Sequence, residues 1–376
     1  LVFAVPFAVI AGYLYATARV VLPSLLNHLV LVATVASILF LAAPLGVLSI
    51  PVGGVLGTAV AFALIFAAFR RQRGRFHFDL RDTTVLKRVG GLLFPTMVFT
   101  AGGYVNLLTD QIVASSIKGG AVSLLAYSQF LLMLPYALVT LPLLTAIFPE
   151  MARHQADDGG GAVNETLGNG FLLLFLALLP ILIAVLFFRI PLIELFYQHG
   201  EFTPGLVPEA ADILLAYGPT MILLSCNSLM QRLFLVERKM VPLMTLTLVS
   251  LAANLAMDLY FATRFSVVGI ALATSINETW YFAAIVWLLR KSLPGVFPRW
   301  ARRLAWQGLA AGGAMLAGLI VSTRLVAFPG PDRKVSLVAA LAVHGGIAAI
   351  VYGSTLLAFG RKRVLALLLA RKVEDR

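Results

Sequence analysis

The chain alternates between long apolar runs and short polar connections. Eleven of the runs are candidate membrane spans, because each reaches or approaches the roughly 20 residues that a helix needs to cross a bilayer. They cover residues 1–18, 24–43, 51–69, 89–117, 121–148, 168–190, 210–235, 241–262, 267–289, 303–325 and 335–359. No connection between them is long enough to form a soluble domain. The pattern therefore predicts an all-α polytopic membrane protein with about 11 transmembrane helices.

Two of these runs begin with related sequences and end at paired basic residues. Val52-Gly53-Gly54-Val55-Leu56-Gly57-Thr58 opens the third run, and Val268-Gly269-Ile270-Ala271-Leu272-Ala273-Thr274 opens the ninth. Each is preceded by an apolar run with a proline at its start, Pro23 or Pro242, shortly after a basic residue, Arg19 or Lys239. Because the two copies are six spans apart and cross in the same direction, they predict two parallel repeats of six helices each.

The repeat divides the chain into three predicted parts. Residues 1–88 would form the last three helices of an N-terminal lobe and its cytoplasmic linker. Residues 89–291 would form a complete C-terminal lobe of six helices, and residues 292–376 two extra helices and a basic tail. On this division, three further helices of the N-terminal lobe are expected before Leu1.

Composition and charge agree with a membrane protein. Hydrophobic residues make up 60% of the chain and charged residues 12%, which is more apolar surface than a soluble domain can bury. Most of the 29 Lys and Arg residues lie at alternate connections, so the positive-inside rule places those connections and the C-terminus in the cytoplasm. The net charge of +12 therefore reflects topology, with attraction to anionic lipid headgroups as a second interpretation. Nucleic acid is not an expected partner.

Several kinds of chemistry are not expected from the reactive residues. The single cysteine, Cys226, lies in an apolar run, which excludes an internal disulfide and a thiolate metal cluster. The five histidines are scattered, and no two of them have the spacing of metal ligands, so they are not predicted to form a metal site. Enzymatic activity is not predicted either, because the largest outer connection offers only a few ungrouped polar residues. They are Glu194, His199, Glu201 and Glu209.

Polar residues inside the predicted spans are the candidates for function, because burying them in a bilayer is costly. Asp110 and Asp258 each lie about 10 Å below the outer boundary, at ~1.5 Å of helix rise per residue. Asn254 precedes Asp258 by four residues and shares its helix face, and Thr274 is expected about one turn deeper. Such a set of oxygens suits a hard cation. The alternative is that the four residues satisfy one another as interhelical hydrogen bonds.

Two other ionisable residues lie within predicted spans. Glu278, next to Asn277, lies near mid-membrane and is predicted to line a cavity. Arg232 lies near the cytoplasmic end of its span, where its guanidinium can instead extend to the membrane interface.

The most distinctive motif of the chain is Leu195-Phe196-Tyr197-Gln198-His199-Gly200-Glu201-Phe202-Thr203, in its largest outer connection. This motif is similar to an outer-loop signature of the MurJ/MviN lipid II flippases, a family of the multidrug, oligosaccharidyl-lipid and polysaccharide exporter superfamily. The other matching stretches are 23–27, 106–110, 134–136, 144–149 and 268–275. Members of the family have fourteen helices, in two lobes of six and a C-terminal pair. The chain would correspond to helices four to fourteen.

The resemblance implies a flippase of the bacterial inner membrane. Such a protein moves the undecaprenyl-pyrophosphate-linked peptidoglycan precursor, lipid II, outward by alternating access for cell-wall biogenesis and cell shape. Its implied partners are the lipid-linked glycan, membrane lipids and cell-wall synthesis proteins, and the chain is expected to be a monomer. Two alternatives stay open. One is a flippase of another polyprenyl-linked oligosaccharide, and the other, from a different class, is a non-transporting membrane scaffold in cell-wall synthesis.

The resemblance also implies site residues. The Na⁺ site that some members of the family carry falls on Asp110, Asn254, Asp258, Ile270 and Thr274. Coupling to Na⁺ or H⁺ is therefore expected, and no other cofactor. A substrate cavity would include Asn106, Gln129, Arg232, Asn277 and Glu278. The last two helices would form an apolar groove for the polyprenyl tail, with Leu304, Leu309, Leu316, Leu319, Leu337 and Leu341 as candidates.

The chain departs from the family at one cavity position. An Asp-Arg pair that the family often carries in its eighth helix is Gln129-Phe130 here. The cavity is therefore expected to be poor in positive charge for a pyrophosphate, and Arg232 is the candidate to compensate.

Overall fold

The computed structural model describes residues 2–16, 21–71, 83–157, 161–237, 239–290, 299–325 and 334–368. Every regular element in these ranges is helical, which confirms the predicted all-α class. The helices are α1 (Ala4–Ala16), α2 (Val21–Leu45), α3 (Ser49–Arg71), α4 (Thr83–Ile117), α5 (Ala121–Pro135), α6 (Leu141–Asp157), α7 (Gly161–Phe187), α8 (Arg189–Tyr197), α9 (Val207–Val236), α10 (Met240–Leu289), α11 (Arg299–Leu325) and α12 (Lys334–Leu368).

In the part of the chain that the structure describes, each apolar run predicted from the sequence coincides with helical structure. Within the described ranges, 7 helical segments are long and apolar enough to cross a membrane, and Ala4–Leu14 is a shorter apolar helix. The protein is thus a polytopic membrane protein, and the count of eleven crossings stays a prediction. By its contacts the chain divides into two compact units, Leu1–Leu86 and Lys87–Arg376. The separation of the second unit into a six-helix lobe and two extra helices also stays a prediction.

In the first unit, the glycines of the repeated motif let α2 and α3 pack closely. A Cβ atom built on Gly53 would lie 2.6 Å from Cβ of Ser37, and one built on Gly57 would lie 2.8 Å from Cβ of Ala33. Small residues at such contacts allow two helix backbones to approach, which is the main packing device available within a bilayer. The first copy of the motif is therefore a helix-packing surface.

The second unit is built around α9, which packs against α5, α7 and α10. Its core contains fully buried large side chains, among them Tyr217 and Phe234 of α9 and Leu174 of α7. Helices α11 and α12 pack on α7 through a second apolar cluster, where the Tyr352 hydroxyl donates to the Leu176 carbonyl at 2.9 Å. This core positions the polar residues of α4, α9 and α10 described below.

A π-helical turn, Tyr136–Thr140, separates α5 from α6. Its side chains bond to α9: the Tyr136 hydroxyl lies 2.9 Å from the Ser228 hydroxyl, and the Thr140 hydroxyl lies 2.7 Å from that of Ser225. A π turn leaves the regular hydrogen-bond ladder and is frequent at functional sites. The two hydroxyl pairs hold this irregular segment against the core helix.

Helix α10 is interrupted at Ser266, whose φ of 55° and ψ of −140° are not helical. It therefore contains both spans predicted at 241–262 and 267–289. The segments on either side of the break lie side by side and are joined by a hydrogen bond, which Asn277 donates to the Ser250 hydroxyl at 2.9 Å. We call them α10a (240–265) and α10b (267–289).

The turn between α10a and α10b depends on Gly269 of the second motif copy. A Cβ atom at this position would overlap the carbonyl oxygen of Phe261 on α10a. Gly53 and Gly269 occupy the same position in the two copies, and each makes a close approach to the preceding helix. The repeated motif thus has the same packing role in both copies.

Candidate cation site and membrane cavity

The structure brings four polar residues from α4, α10a and α10b into one buried cluster. Asn254 donates its side-chain nitrogen to Asp110 Oδ1 at 2.9 Å and to Asp258 Oδ2 at 2.8 Å. The Thr274 hydroxyl lies 3.3 Å from Asp110 Oδ2. All four side chains are buried, and those of Asn254 and Asp258 have no exposed surface. We call these residues the acid cluster.

Helix geometry explains the assembly of the acid cluster. Asn254 and Asp258 are four residues apart on α10a and therefore lie on one helix face. The reversal at Ser266 returns the chain along that face, so that Thr274 of α10b reaches the same region. Thr274 also lies 3.1 Å from the carbonyl oxygen of Ile270, which places that oxygen beside the cluster.

The acid cluster offers oxygen ligands that the protein leaves unused. Asn254 Oδ1 and Asp258 Oδ1 are buried and accept no hydrogen bond from the described residues. Two carboxylates close together in a membrane interior require a counter-charge or protonation. Carboxylate, amide, hydroxyl and carbonyl oxygens are the ligands that a hard cation prefers. The donor set therefore fits Na⁺.

Tyr217 of α9 is a neighbour of the acid cluster that the sequence analysis did not identify. Its side chain is 1% exposed, and its hydroxyl is close enough to Asp110 and Asp258 to be affected by their charges. The hydroxyl has no hydrogen-bond partner within standard geometry among the described residues. A tyrosine within an apolar run does not stand out in a sequence. Only the depth of Tyr217 in the membrane, compared with that of the two acids, could have indicated that it lies near them.

A cavity of about 330 Å³ lies between α4, the π-helical turn, α9 and α10. Its polar lining residues are Asn106, Tyr136, Ser228, Gln231, Thr247, Ser250, Asn277, Glu278 and Tyr281. Three of the five residues predicted for a substrate cavity are thus in its lining, namely Asn106, Asn277 and Glu278. We call it the polar cavity.

The other two predicted residues, Gln129 and Arg232, are not in the lining of the polar cavity. The Arg232 guanidinium instead lies over the ring of Phe148 on α6, 5.5 Å from its centroid. Gln129 lies on α5 and is half-buried. Arg232 therefore adds no positive charge to the lining of the polar cavity, and its role in compensating for the missing Asp-Arg pair stays a prediction.

Partly buried hydrogen bonds fix two polar residues of the cavity. Asn227 of α9 donates to the Glu278 carboxylate at 2.5 Å and to the Glu278 carbonyl at 3.2 Å. Asn277 accepts from the indole nitrogen of Trp280 at 2.8 Å. The sequence did not indicate Asn227, because its partner is 51 residues away and on another helix.

An apolar groove of about 410 Å³ lies between α7, α8, α11 and α12. Of the six leucines predicted for a groove on the last two helices, Leu341 lines it. Leu304, Leu319 and Leu337 are instead buried, and Leu309 and Leu316 are exposed on the helix surfaces.

The outer connection that resembles the family signature is ordered by aromatic contacts. The rings of Tyr127 and Tyr197 stack with centroids 4.6 Å apart, and Phe202 packs edge-on to Tyr127. Lys118 pairs with Glu209 across the same surface. Burial raises the pKa of Glu194 on α8. Among the described residues, no group of three or more His, Cys, Asp or Glu side chains is arranged to hold a metal ion.

Comparisons with known proteins identify the family. The chain is 26% identical to the probable lipid II flippase MurJ of Vibrio cholerae over 64% of its length and 46% of that relative's. It is 29% identical to the probable lipid II flippase MurJ of Rhizobium meliloti over 82% of its length and 58% of that relative's. The chain thus spans about half the length of the curated relatives that it matches.

The fold is that of a solved relative. The structure of a lipid II flippase MurJ in an inward closed conformation matches with a TM-score of 0.74 at 18% identity, covering 96% of this chain and 72% of that one. The sequence model described as lipid II flippase MurJ matches residues 1–329. The resemblance seen in the motifs is therefore confirmed: the chain belongs to the MurJ family of lipid II flippases.

Proposed function

We propose that the protein translocates lipid II outward across the bacterial inner membrane by alternating access, coupled to Na⁺ at the acid cluster. The acid cluster is the observation that carries the coupling part of the proposal. It brings two buried carboxylates together, and two of its oxygen atoms, Asn254 Oδ1 and Asp258 Oδ1, accept no hydrogen bond from the described residues. The family match over residues 1–329 supports the lipid II part of the proposal. The protein is then a transporter and not an enzyme.

The acid cluster gives a physical basis for coupling. Asp110, Asn254, Asp258, Thr274 and the Ile270 carbonyl would hold the ion, which would supply positive charge between the two carboxylates. With neither a counter-charge nor a bound proton, Asp110 on α4 and Asp258 on α10a repel each other. Because these acids lie on different helices, their repulsion favours separation of α4 from α10a. Asn106 of α4 lines the polar cavity. A movement of α4 would therefore alter the wall of that cavity.

The cellular setting follows from the same proposal. The basic connections would face the cytoplasm, together with the C-terminus. The partners would be the lipid-linked substrate, the surrounding lipids and cell-wall synthesis proteins, with the transporter acting as a monomer. The apolar groove beside α11 and α12 would receive the polyprenyl tail.

Complementation tests the substrate. A bacterial strain depleted of its own lipid II flippase would express the chain in its longest reading frame, and growth and lipid II export would be measured. Rescue that requires Asp110 and Asp258 supports the proposal. Normal membrane insertion without rescue would contradict the lipid II assignment and favour another polyprenyl-linked oligosaccharide. Rescue that survives loss of both carboxylates would remove the coupling and leave the substrate assignment in place.

A further inference from the structure

The polar cavity is acidic. Glu278 is the one charged residue among the described residues that line it, and no Lys, Arg or His of the described ranges does so. The nearest candidate base by sequence, Arg232, follows the lining residue Gln231 but is placed over the Phe148 ring. An anion such as a pyrophosphate would therefore find no positive partner in this cavity. A cationic group would find a negative one.

Asn227 holds the Glu278 carboxylate in position. It donates to one carboxylate oxygen, Oε2, and also to the Glu278 carbonyl, so both the side chain and its backbone are tied to α9. The Glu278 side chain is half-buried, whereas Asn227 is fully buried behind it. Because Asn227 donates to Oε2, a ligand in the cavity would contact the second oxygen, Oε1.

The remaining lining is suited to a donor-rich ligand. The side-chain oxygen of Asn106 accepts no hydrogen bond from the described residues. Tyr136, Phe99 and Tyr281 add aromatic rings to the cavity wall. An ammonium group has three donors and no acceptor, and it is also attracted to aromatic faces. Carboxylate, amide oxygen and aromatic ring together form the surroundings that a primary ammonium group requires.

We propose that the polar cavity binds a primary ammonium group of the translocated substrate, with Glu278 as its counter-ion. The identity of the substrate rests on the proposed function, whereas the contact with an amine does not. The substrate's glycopeptide part, and not its pyrophosphate, would then lie against this half of the transporter. Glu278 is thus a specificity-determining residue, distinct from the acid cluster at Asp110 and Asp258.

The volume of the cavity agrees with this assignment. About 330 Å³ is at the lower end of the range for ligand pockets. It has room for one amino-acid side chain ending in an amine, and not for a whole lipid-linked glycan. The cavity would therefore select one group of a larger substrate.

Binding measurements with two matched probes test the proposal. The first probe is a soluble glycopeptide whose peptide contains one lysine, and the second is the same molecule with the lysine amine acetylated. With the purified chain in detergent, calorimetry is expected to show binding of the free amine that is about ten- to hundredfold tighter than binding of the acetylated probe. Glu278→Gln should abolish this difference, because it should weaken the binding of the free-amine probe and leave the binding of the acetylated probe unchanged.

Two variants control the experiment. Asp212→Asn removes an exposed carboxylate that lines a different cavity between α9 and α10b, and it should keep the preference for the free amine. Glu278→Asp keeps the charge but shortens its reach, so an intermediate preference is expected. Folding of each variant is checked by thermal unfolding. Equal binding of both probes to the unaltered chain, or an undiminished preference in folded Glu278→Gln, would overturn the proposal.

The same measurements separate this inference from the proposed function. If lipid II is not transported but the lysine probe binds through Glu278, the amine site stands and the lipid II assignment fails. If lipid II is transported equally with a free or an acetylated amine, and Glu278→Gln changes neither rate, the amine site fails and the flippase assignment stands.

Discussion

The side-chain nitrogen of Asn254 lies 2.9 Å from Oδ1 of Asp110 and so joins α10a to α4. The same nitrogen also donates to Oδ2 of Asp258, at 2.8 Å. A single neutral amide is thus the shared donor of two buried acids. Hydrogen bonds to charged groups stabilise more than neutral ones, but they do not cancel the repulsion between two carboxylates. Mutations in this cluster should therefore have opposite effects on stability, depending on which partner is removed.

Asp258→Asn should make the protein insensitive to sodium. Without Na⁺, the variant is expected to be at least as stable as the unaltered chain, because one of two repelling carboxylates has been neutralised. At a Na⁺ concentration of roughly 100 times Kd, the unaltered chain should gain about 2.7 kcal/mol and the variant nothing. Thermal unfolding in NaCl and in choline chloride of equal ionic strength measures both effects. Asp212→Asn is the control, and sodium stabilisation that persists in Asp258→Asn would refute the cation site.

Asn254→Ala should destabilise the protein in sodium-free buffer. The substitution removes the donor of two hydrogen bonds to carboxylates, each worth about 1.5–3 kcal/mol, and leaves the acids to face each other. Thr245→Ala is a matched control on the same helix, because the Thr245 side chain is exposed and bonds only to the Val241 carbonyl. The control should change the free energy of unfolding by less than about 0.5 kcal/mol. Similar losses in both variants would contradict a special role for Asn254.

Gly53→Ala should weaken the packing of α2 on α3. The new Cβ would lie 2.6 Å from Cβ of Ser37 and 2.7 Å from Cα of Thr34, so the helices must separate at a cost of about 1–3 kcal/mol. Gly12→Ala in α1 is the control, because no atom lies within 4 Å of the added Cβ. There, the higher helix propensity of alanine should stabilise by roughly 0.5–1 kcal/mol. Thermal unfolding of both variants should therefore show shifts of opposite sign.

The contact between the π-helical turn and α9 should be measurable as an energetic coupling. A double-mutant cycle of Thr140→Val and Ser225→Ala is expected to give about 0.6–1.7 kcal/mol, the range for interhelical hydrogen bonds in membranes. Thr145→Val paired with Ser225→Ala is the control, because Thr145 bonds only within its own helix. Coupling no larger than in this control pair would show that the hydroxyl contact does not hold the turn.

The acid cluster could be predicted from the sequence because it depends on distances along helices. A spacing of four residues places Asn254 and Asp258 on one face, and the helical rise per residue sets the depth of Asp110 and Thr274. The meeting of Asp110 on α4 with the residues of α10 does not follow from these spacings, and it was expected from the resemblance to the family. The fold class was also accessible, since the length and apolarity of each run determine a membrane helix.

Other features depend on how helices are rotated against one another, which a single sequence does not encode in its spacing. Arg232 is adjacent to a residue of the polar cavity, yet its guanidinium lies over Phe148. Tyr217 lies near the acid cluster and Asn227 bonds to Glu278, and both belong to a different helix, α9. The π-helical turn shifts the residues that follow it relative to a regular helix, so their facing directions could not be inferred from a constant period.

Thr58 and Thr274 close the two copies of the repeated motif, and each bonds to the carbonyl oxygen four residues earlier. Thr274 additionally lies 3.3 Å from Asp110. The helix that precedes its copy carries Asn254 and Asp258. The positions at the same distances from the proline at the start of the corresponding helix of the first copy, Pro23 in place of Pro242, are Val35 and Leu39. The glycine-threonine motif is therefore a poor marker of ion coupling when a related sequence is classified. Under the sodium coupling proposed above, the residues that indicate it are an asparagine and an aspartate four residues apart on the preceding helix. Relatives that keep the motif but lack this pair are then expected to be sodium-independent.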